Sequence, residues 1–418
     1  MLARILGTPL RRLLVLLVVL AGVAGVVYLP RARRHLHERR LQSMSLAQLE
    51  ALVRERPEDA AARYQLARGY SRSGRLADAS RELVKVVNQT PQDAKALNDL
   101  GVAYLLQNRF YEALLALQGA TQAQPKFAAA WANLGRLHLT TKMPFTAERE
   151  LEKAAALAPK DYLTLCDLGE AYLQTLNAKS ARRVFEQARS LKPGQVQAVI
   201  GLGHAFESLG QPEEARKALE TALEMQGETP QLLTSLARIR LKRAASEDDV
   251  AAAQSLLDRA SRLDPEDPEI WYELGRIELR QKRDAVAIIR FRRALSLSPQ
   301  HSGALNNLAT ALQRTGDLDA ARRARKKVRE IALRGREETR LEERLQRQPN
   351  DWDSAAGLAA IYLAEGKLGL AALTIRRLQD GQPKHPRLPE LRDRLRAARS
   401  TGQAGRFPAA QSGQPEGR

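Results

Sequence analysis

The sequence predicts an all-α protein, a solenoid of helix–turn–helix repeats that follows one N-terminal transmembrane helix. Three observations lead to this prediction. A 34-residue period starts at Ala60, an unbroken apolar run lies near the amino terminus, and aromatic residues make up only 5% of a chain that is 44% hydrophobic. Helices that pack through Ala and Leu fit this composition, whereas sheets favour β-branched and aromatic residues.

The apolar run extends from Leu13 to Leu29, with basic residues at both ends. Its seventeen residues reach the lower end of the roughly 17–25 that cross a bilayer as a helix. We interpret 13–29 as an uncleaved single-span anchor, preceded by a basic tail (1–12) and followed by a basic juxtamembrane segment with one leading helix (30–59). A cleaved signal peptide is the competing interpretation. Gly22 and Ala24 imitate a cleavage site, but Arg-rich sequence follows at once.

The distribution of basic residues around this run gives only a slight preference for orientation. Arg4, Arg11 and Arg12 precede it, and a larger arginine cluster follows it in residues 31–40. The excess of positive charge on cytoplasmic flanks therefore favours a cytoplasmic carboxy-terminal body and leaves a periplasmic one open. We expect a single-pass protein of a bacterial inner membrane. Arg far outnumbers Lys amid abundant Ala, Leu and Gly, as a GC-rich genome gives, so compositional bias is the favoured explanation of the basic charge of the chain.

The repeat is clearest in residues 128–161. Counted from Ala128, Trp131 stands at position 4, Leu134 and Gly135 at positions 7 and 8, and Ala147 at position 20. The same frame recurs along the chain at 60–93, 94–127, 128–161, 162–195, 196–229, 230–267, 268–301, 302–336 (in part) and 352–385. The sixth of these units is about four residues too long, and its extra residues fall in an acidic turn where an insertion does least harm.

This spacing has a physical cause. Positions 4, 7, 8 and 11 lie on one face of the first helix because they are three or four residues apart. Small residues at positions 8, 20 and 27 allow close approach of the helices, and large apolar residues at 7 and 24 fill the gaps. Glycine at position 15, as in Gly74 and Gly210, suits a left-handed helix end. The pattern resembles the tetratricopeptide repeat. That resemblance implies a right-handed superhelical solenoid whose first helices line a groove that binds proteins.

Apart from the longer sixth unit, the regular frame breaks only towards the carboxy terminus. Repeats one to eight are predicted within 60–318, a charged helical interruption follows at 319–351, and the ninth repeat returns at 352–385. A capping helix is predicted at 386–400, because a solenoid needs ends with a polar outer face. Residues 401–418, rich in Gly, Gln and Pro, are predicted to be a disordered tail.

The resemblance places positions 2, 5, 9 and 12 of each repeat in the groove. Arginine recurs at position 9 in four repeats, and forked hydrogen bonds from such a row would suit carboxylates or phosphates on a partner. The alternative is that these are solvated charges of an Arg-rich chain. The candidate groove residues are Tyr64, Arg68, Asn98, Arg136, Glu170, His204, Arg238, Tyr272 and Arg276.

A second charged feature lies in the interruption. The net charge of +19 invites anionic partners, and basic residues cluster from Ala320 onward, continuing to Arg347. The candidate basic patch consists of Arg322, Arg323, Arg325, Lys326 and Lys327. A solvated helix with ion pairs along its face is one interpretation. Contact with nucleic acid or anionic lipid is the other, and the absence of aromatics counts against stacking of single-stranded bases.

No catalytic constellation is found, so we predict neither an enzyme nor a cofactor. The single cysteine, Cys166, excludes a multi-cysteine metal site, and the six histidines show no helical pairing that would bind a metal, apart from His35 and His37 beside the membrane. The predicted function is a membrane-anchored scaffold that binds partner proteins through its groove. The alternative is a basic adaptor that binds nucleic acid or anionic lipid through 320–347.

Overall fold

The computed structural model describes residues 36–243 and 246–400, and every regular element within those ranges is an α-helix. The expectation of an all-α repeat solenoid is thereby confirmed. The apolar segment 13–29 and the tail 401–418 lie outside the described residues. None of the helices described has the length and apolar character needed to cross a bilayer.

The chain divides into two compact units. The first comprises Met1–Asn108 and Leu115–Pro125, and the second comprises Arg109–Leu114 and Lys126–Arg418. The described helices up to residue 123 are α1 (36–43), α2 (Leu46–Glu55), α3 (Ala60–Arg72), α4 (Leu76–Gln89), α5 (Ala94–Leu106) and α6 (Phe110–Ala123). The helices that follow are α7 (Ala128–Thr140), α8 (Pro144–Leu157), α9 (Tyr162–Gln174), α10 (Ala178–Leu191), α11 (Val196–Ser208), α12 (Pro212–Gln226), α13 (Pro230–Arg243), α14 (Glu247–Leu263), α15 (Pro268–Arg280), α16 (Asp284–Leu297), α17 (Ser302–Arg314), α18 (Leu318–Arg347), α19 (Trp352–Ala364), α20 (Leu368–Gly381) and α21 (Leu388–Ser400).

Many first helices of the repeats begin at the same chemical signal. An aspartate immediately before the helix accepts a hydrogen bond from an amide of its first turn, as Asp59 does from Ala62 at 2.9 Å. This cap satisfies an amide that has no partner inside the helix. The aspartates that cap first helices in this way are Asp59, Asp93, Asp161, Asp267 and Asp351.

The turn between the two helices of a repeat adopts a left-handed backbone at position 15. Glycine occupies that position at Gly74, Gly210, Gly316 and Gly366, as the sequence predicts. Four other repeats place a residue with a side chain there, and its φ is still positive: Asn108 (57°), Lys142 (59°), Leu176 (63°) and Lys282 (58°). The turn geometry is therefore imposed by the repeat, because it is kept even where the residue disfavours it.

In several repeats a glycine at position 8 lies opposite a large side chain at position 24. A Cβ atom added to Gly169 would lie 2.5 Å from the ring of Phe185, and one added to Gly135 would lie 2.5 Å from Leu151. Both distances are shorter than real Cβ contacts allow. Glycine at this position is thus what allows a bulky residue of the second helix to contact the backbone of the first.

A tyrosine at position 11 links several repeats to the helix before them. The Tyr172 hydroxyl donates to Glu152 at 2.7 Å, and the Tyr362 hydroxyl donates to Glu342 at 2.8 Å. Each tyrosine is buried, so the bond satisfies a hydroxyl that would otherwise lose its contact with water. In the third repeat His138 replaces the tyrosine, and its Nδ1 lies 2.6 Å from buried Glu150.

The segment predicted as a charged interruption forms one helix, α18, of 30 residues. Its first turns bury Ala321 in the core beside α17, and its last turns bury Leu341 and Leu345 in the core beside α19. Between these ends, residues 325–340 contain no buried side chain. The helix therefore packs at both ends and presents its middle to solvent.

Candidate partner-binding faces

The first helices of the second unit present a polar face that does not belong to the core. Successive first helices contact one another, α7 with α9, α9 with α11, α13 with α15 and α15 with α17. Residues at positions 7 and 8 are buried in every repeat, whereas the residue at position 9 is at least partly exposed in every repeat. The side chain at position 9 is therefore not needed for core packing and can form polar contacts at the surface.

Arg136, at position 9 of α7, binds an aspartate of the next repeat. Its Nε and one terminal nitrogen donate to Asp167 of α9 at 3.0 and 2.6 Å, and its other terminal nitrogen donates to Asn133 at 3.1 Å. Burial raises the pKa of Asp167, and Arg136 opposes that rise. The fork that would suit a partner's carboxylate is thus already used within the protein.

Arg238, at position 9 of α13, binds a glutamate of the preceding repeat. Its Nε and a terminal nitrogen donate to the two carboxylate oxygens of Glu207 at 3.0 and 2.9 Å, and Lys242 donates to the same carboxylate at 2.6 Å. Burial acts to raise the pKa of Glu207, but the hydrogen bonds from the two cations outweigh it and leave that pKa below its ordinary value.

Arg276, at position 9 of α15, binds a glutamate of its own helix. One terminal nitrogen donates to both oxygens of Glu273 at 2.9 and 2.8 Å. The Glu273 side chain is only 1% exposed, and burial raises its pKa despite Arg276. The two arginine-bound glutamates Glu207 and Glu273 thus have pKa values shifted in opposite directions.

The same face carries two histidines in different environments. Burial, followed by the charge of Arg238, lowers the pKa of His204. The ring of His301 contacts the ring of Tyr272 in a tilted arrangement, with centroids 4.5 Å apart and an angle of 41° between the planes. Its Nδ1 accepts from the Ala304 amide, so its Nε2 carries the proton and donates to Glu269 at 3.1 Å. Tyr272, predicted from the sequence, is therefore held by a neighbour that the prediction did not include.

The remaining residues predicted for the groove differ in whether they form hydrogen bonds within the protein. Glu170 is exposed and accepts from Gln174 at 2.9 Å. In the first unit, the Tyr64 hydroxyl donates to Asp99 at 2.7 Å, and Asn98 donates to the same carboxylate group at 3.2 Å. Arg68 makes no hydrogen bond or ion pair with any residue in the described ranges, and it borders a shallow surface pocket with Asp99. It is the one position-9 arginine here without a carboxylate partner.

Sequence comparison agrees with this architecture. Models of the tetratricopeptide repeat match residues 64–126 and 240–302, residues 176–239, and residues 291–323. The chain belongs to the tetratricopeptide repeat family. Members of this family generally mediate protein–protein interactions, and the repeat is typically a non-catalytic scaffold. No curated protein sequence is significantly similar to the chain.

Solved structures with the same tetratricopeptide fold share little sequence with the chain. A tetratricopeptide repeat protein from Parabacteroides merdae ATCC 43184 has a TM-score of 0.51 at 17% identity, covering 63% of this chain and 98% of its own. PilF of Pseudomonas aeruginosa has a TM-score of 0.42 at 20% identity, covering 51% and 97%. YrrB, described as having an unusual peptide-binding site, has a TM-score of 0.38 at 20% identity, covering 43% and 93%.

The carboxylates that pair with the position-9 arginines were missed by the sequence prediction. Asp167 lies 31 residues after Arg136, and Glu207 lies 31 residues before Arg238. In a 34-residue repeat these offsets lead from position 9 to position 6 of the next repeat or to position 12 of the previous one. A search for acids at these offsets would have found both partners.

The five residues of the predicted basic patch are all exposed on α18. At 100° per residue, Arg322, Arg325 and Lys326 share one side of the helix, whereas Arg323 and Lys327 lie together on another side. The patch is therefore not a single face. In the described part of the chain, no group of three or more His, Cys, Asp or Glu side chains is arranged to hold a metal ion.

Proposed function

We propose that this tetratricopeptide protein is a scaffold that binds partner proteins on the polar faces of its first helices. The observation that supports it is the constant partial exposure of position 9, beside positions 7 and 8 that are buried in every repeat. A position that stays outside the core in every repeat can carry a recognition residue, and at Arg68 the side chain has no carboxylate partner among the described residues. Membership of the family supports the same conclusion, because its members generally bind other proteins.

The ion pairs change which arginine is the most informative to mutate. Replacing Arg136 or Arg276 exposes Asp167 or Glu273 as an unpaired carboxylate, so a loss of binding could come from a local rearrangement. Arg68 has no such partner among the described residues. Its replacement changes the charge of the face and leaves the surrounding hydrogen bonds in place.

The test is capture of partners from membranes with the full chain, followed by affinity measurement with the purified partner. We expect Arg68→Glu, Arg136→Glu or Arg276→Glu to weaken binding about tenfold or more. Arg189→Glu is the matched control, because Arg189 is exposed on the second helix α10. Wild-type affinity in all three face variants would contradict the proposal.

A charge swap separates recognition from structural support at Arg136. The double variant Arg136→Glu with Asp167→Arg reverses the ion pair and retains its attraction. If Arg136 contacts the partner, binding stays weak in the double variant. If Arg136 only positions α9, the double variant recovers the wild-type affinity.

We also propose that residues 13–29 anchor the scaffold in a bacterial inner membrane with its repeats in the cytoplasm. The seventeen apolar residues and their basic flanks support this proposal. Two measurements test it: resistance of the full chain to alkaline extraction from membranes, and the activity of a topology reporter fused after Arg418. Release of the chain by alkaline extraction would contradict the anchor. Reporter activity that shows the carboxy terminus in the periplasm would contradict the orientation.

A further inference from the structure

One face of α18 combines arginines and leucines in a single line. Offsets of three or four residues place these side chains on the same side of the helix, within about 80° of one another. All of them are exposed. We call this line the α18 stripe, and it consists of Leu318, Arg322, Arg325, Arg329, Leu333, Arg336 and Arg340. At about 1.5 Å per residue it is roughly 33 Å long.

The arginines of the α18 stripe differ from those of the groove in having few internal partners. Arg340 lies 3.4 Å from Glu337, and Arg325 donates to the neutral amide of Gln313. Arg322, Arg329 and Arg336 have no carboxylate partner within the ranges that the structure describes. Their charge is therefore available to an external anion, whereas Arg136, Arg238 and Arg276 are paired with carboxylates of the protein itself.

The leucines of the stripe are unusual for a helix face exposed to water. Leu318 is 52% exposed and Leu333 is 62% exposed. The buried side chains of α18 lie on the opposite side of the helix, where α18 packs on α17 and α19. Leu318 and Leu333 therefore take no part in that packing. Helices that bind a bilayer interface combine basic residues with exposed apolar ones. On α18 both kinds share one side of the helix, so this side offers charge to headgroups and two apolar side chains to the acyl boundary.

We propose that the α18 stripe docks on an anionic lipid bilayer. Its arginines would contact headgroup phosphates, and Leu318 and Leu333 would enter the boundary between headgroups and acyl chains. A line of side chains about 33 Å long can contact an extended surface such as a bilayer along its whole length. Each basic residue near an anionic leaflet adds attraction, and the apolar segment predicted at 13–29 would keep the chain close to such a surface.

Nucleic acid fits the stripe less well. Stacking of single-stranded bases needs aromatic rings, and the stripe contains none. Arginine does contact guanine edges and phosphates in duplex DNA, so the two leucines are what distinguishes the possible partners. Against a phosphate backbone both leucines would face charge, whereas in a bilayer they would be buried. The proposal concerns a surface on α18 and does not depend on the partner-binding faces of the first helices.

The test uses the full chain, so any contribution of residues 1–35 is the same in every variant. The stripe variant is Arg322→Glu, Arg329→Glu and Arg336→Glu together. Its control is Arg54→Glu, Arg189→Glu and Arg392→Glu together, which changes the net charge equally at exposed sites on α2, α10 and α21. Co-sedimentation is measured with phosphatidylcholine vesicles, with and without phosphatidylglycerol.

We expect phosphatidylglycerol to increase the partition of the wild type and of the control onto vesicles. On the phosphatidylglycerol vesicles, the partition coefficient of the stripe variant should be about tenfold or more below that of the control. A second variant, Leu318→Ser with Leu333→Ser, should weaken vesicle binding without changing retention of a short DNA duplex. Equal losses in the stripe and control variants would reduce the effect to net charge. A stripe variant that loses duplex binding while vesicle binding stays intact would assign the surface to nucleic acid. Either outcome overturns the proposal.

Discussion

Arg238 and Glu207 face each other with two parallel hydrogen bonds, 3.0 and 2.9 Å long, between α13 and α11. The two residues belong to successive repeats, so the pair connects repeats as well as neutralising charge. The Glu207 side chain is only 10% exposed, and a hydrogen bond to a charged group counts for more where water is excluded. Part of the arginine row thus stabilises the solenoid, and what it offers to a partner depends on these bonds.

Replacement of Glu207 by Gln should lower stability in a way that depends on pH. The pKa of Glu207 in the folded protein lies below its ordinary value of 4.5. Its contribution is therefore fully present above about pH 4.5 and is lost as the pH falls through the folded pKa. We expect Glu207→Gln to lower the free energy of unfolding by about 2 kcal/mol at pH 7. Urea unfolding followed by circular dichroism measures this difference.

Replacement of Glu273 by Gln should have the opposite effect on the free energy of unfolding. Its pKa is raised by burial, so the carboxylate is favoured less in the folded state, and the folded state loses stability as the pH rises from 4.5 through the raised pKa. We expect Glu273→Gln to be more stable than the wild type at pH 7 and to approach it at low pH. The same urea series tests both variants. Parallel pH profiles for the two would contradict the assigned shifts.

The packing of the repeats was predictable because each contact that defines it is short in sequence. Gly169 and Phe185 stand at positions 8 and 24 of one repeat, so the period alone identifies them as neighbours. The groove was less predictable. Arg136, Arg238 and Arg276 occupy the same position, yet they bind acids 31 residues later, 31 residues earlier and three residues earlier. The period gives the offsets at which an acid can reach an arginine, but side-chain geometry determines which of these offsets each arginine uses.

Leu176 should be a site where glycine stabilises the protein. Its φ is 63°, a left-handed conformation that is strained for a residue with a Cβ atom. The side chain is 91% exposed, so its removal loses almost no packing. We expect Leu176→Gly to raise the free energy of unfolding by about 1 kcal/mol, after the greater freedom of glycine in the unfolded chain is included. Thermal and urea unfolding measure it. Leu176→Ala keeps the strain, and an equal gain in that variant would show that backbone conformation is not the cause.

Cys166 should be unreactive in the folded protein. It is 1% exposed in the core of the second unit, and burial raises the pKa of its thiol to about 12. Since the thiolate is the nucleophile, alkylation at pH 8 should be about a thousandfold slower than in the unfolded chain. Mass spectrometry after iodoacetamide treatment, with and without urea, measures both rates. Similar rates in the two conditions would mean that this part of the second unit opens readily.

Glycine to alanine exchange should have opposite effects at two helical positions of the second unit. In α9, a Cβ atom at Gly169 would lie 2.5 Å from the Phe185 ring, whereas in α18 a Cβ atom at Gly335 would meet no atom within 4 Å. We expect Gly169→Ala to cost about 1–3 kcal/mol through overpacking. Gly335→Ala should stabilise α18 by up to about 1 kcal/mol, because alanine favours the helix. Urea unfolding of the two variants provides the comparison, and Gly169→Ala with Phe185→Leu should recover part of the loss because the smaller side chain makes room for the new methyl group. A destabilised Gly335→Ala would mean that the middle of α18 is not the continuous exposed helix seen here.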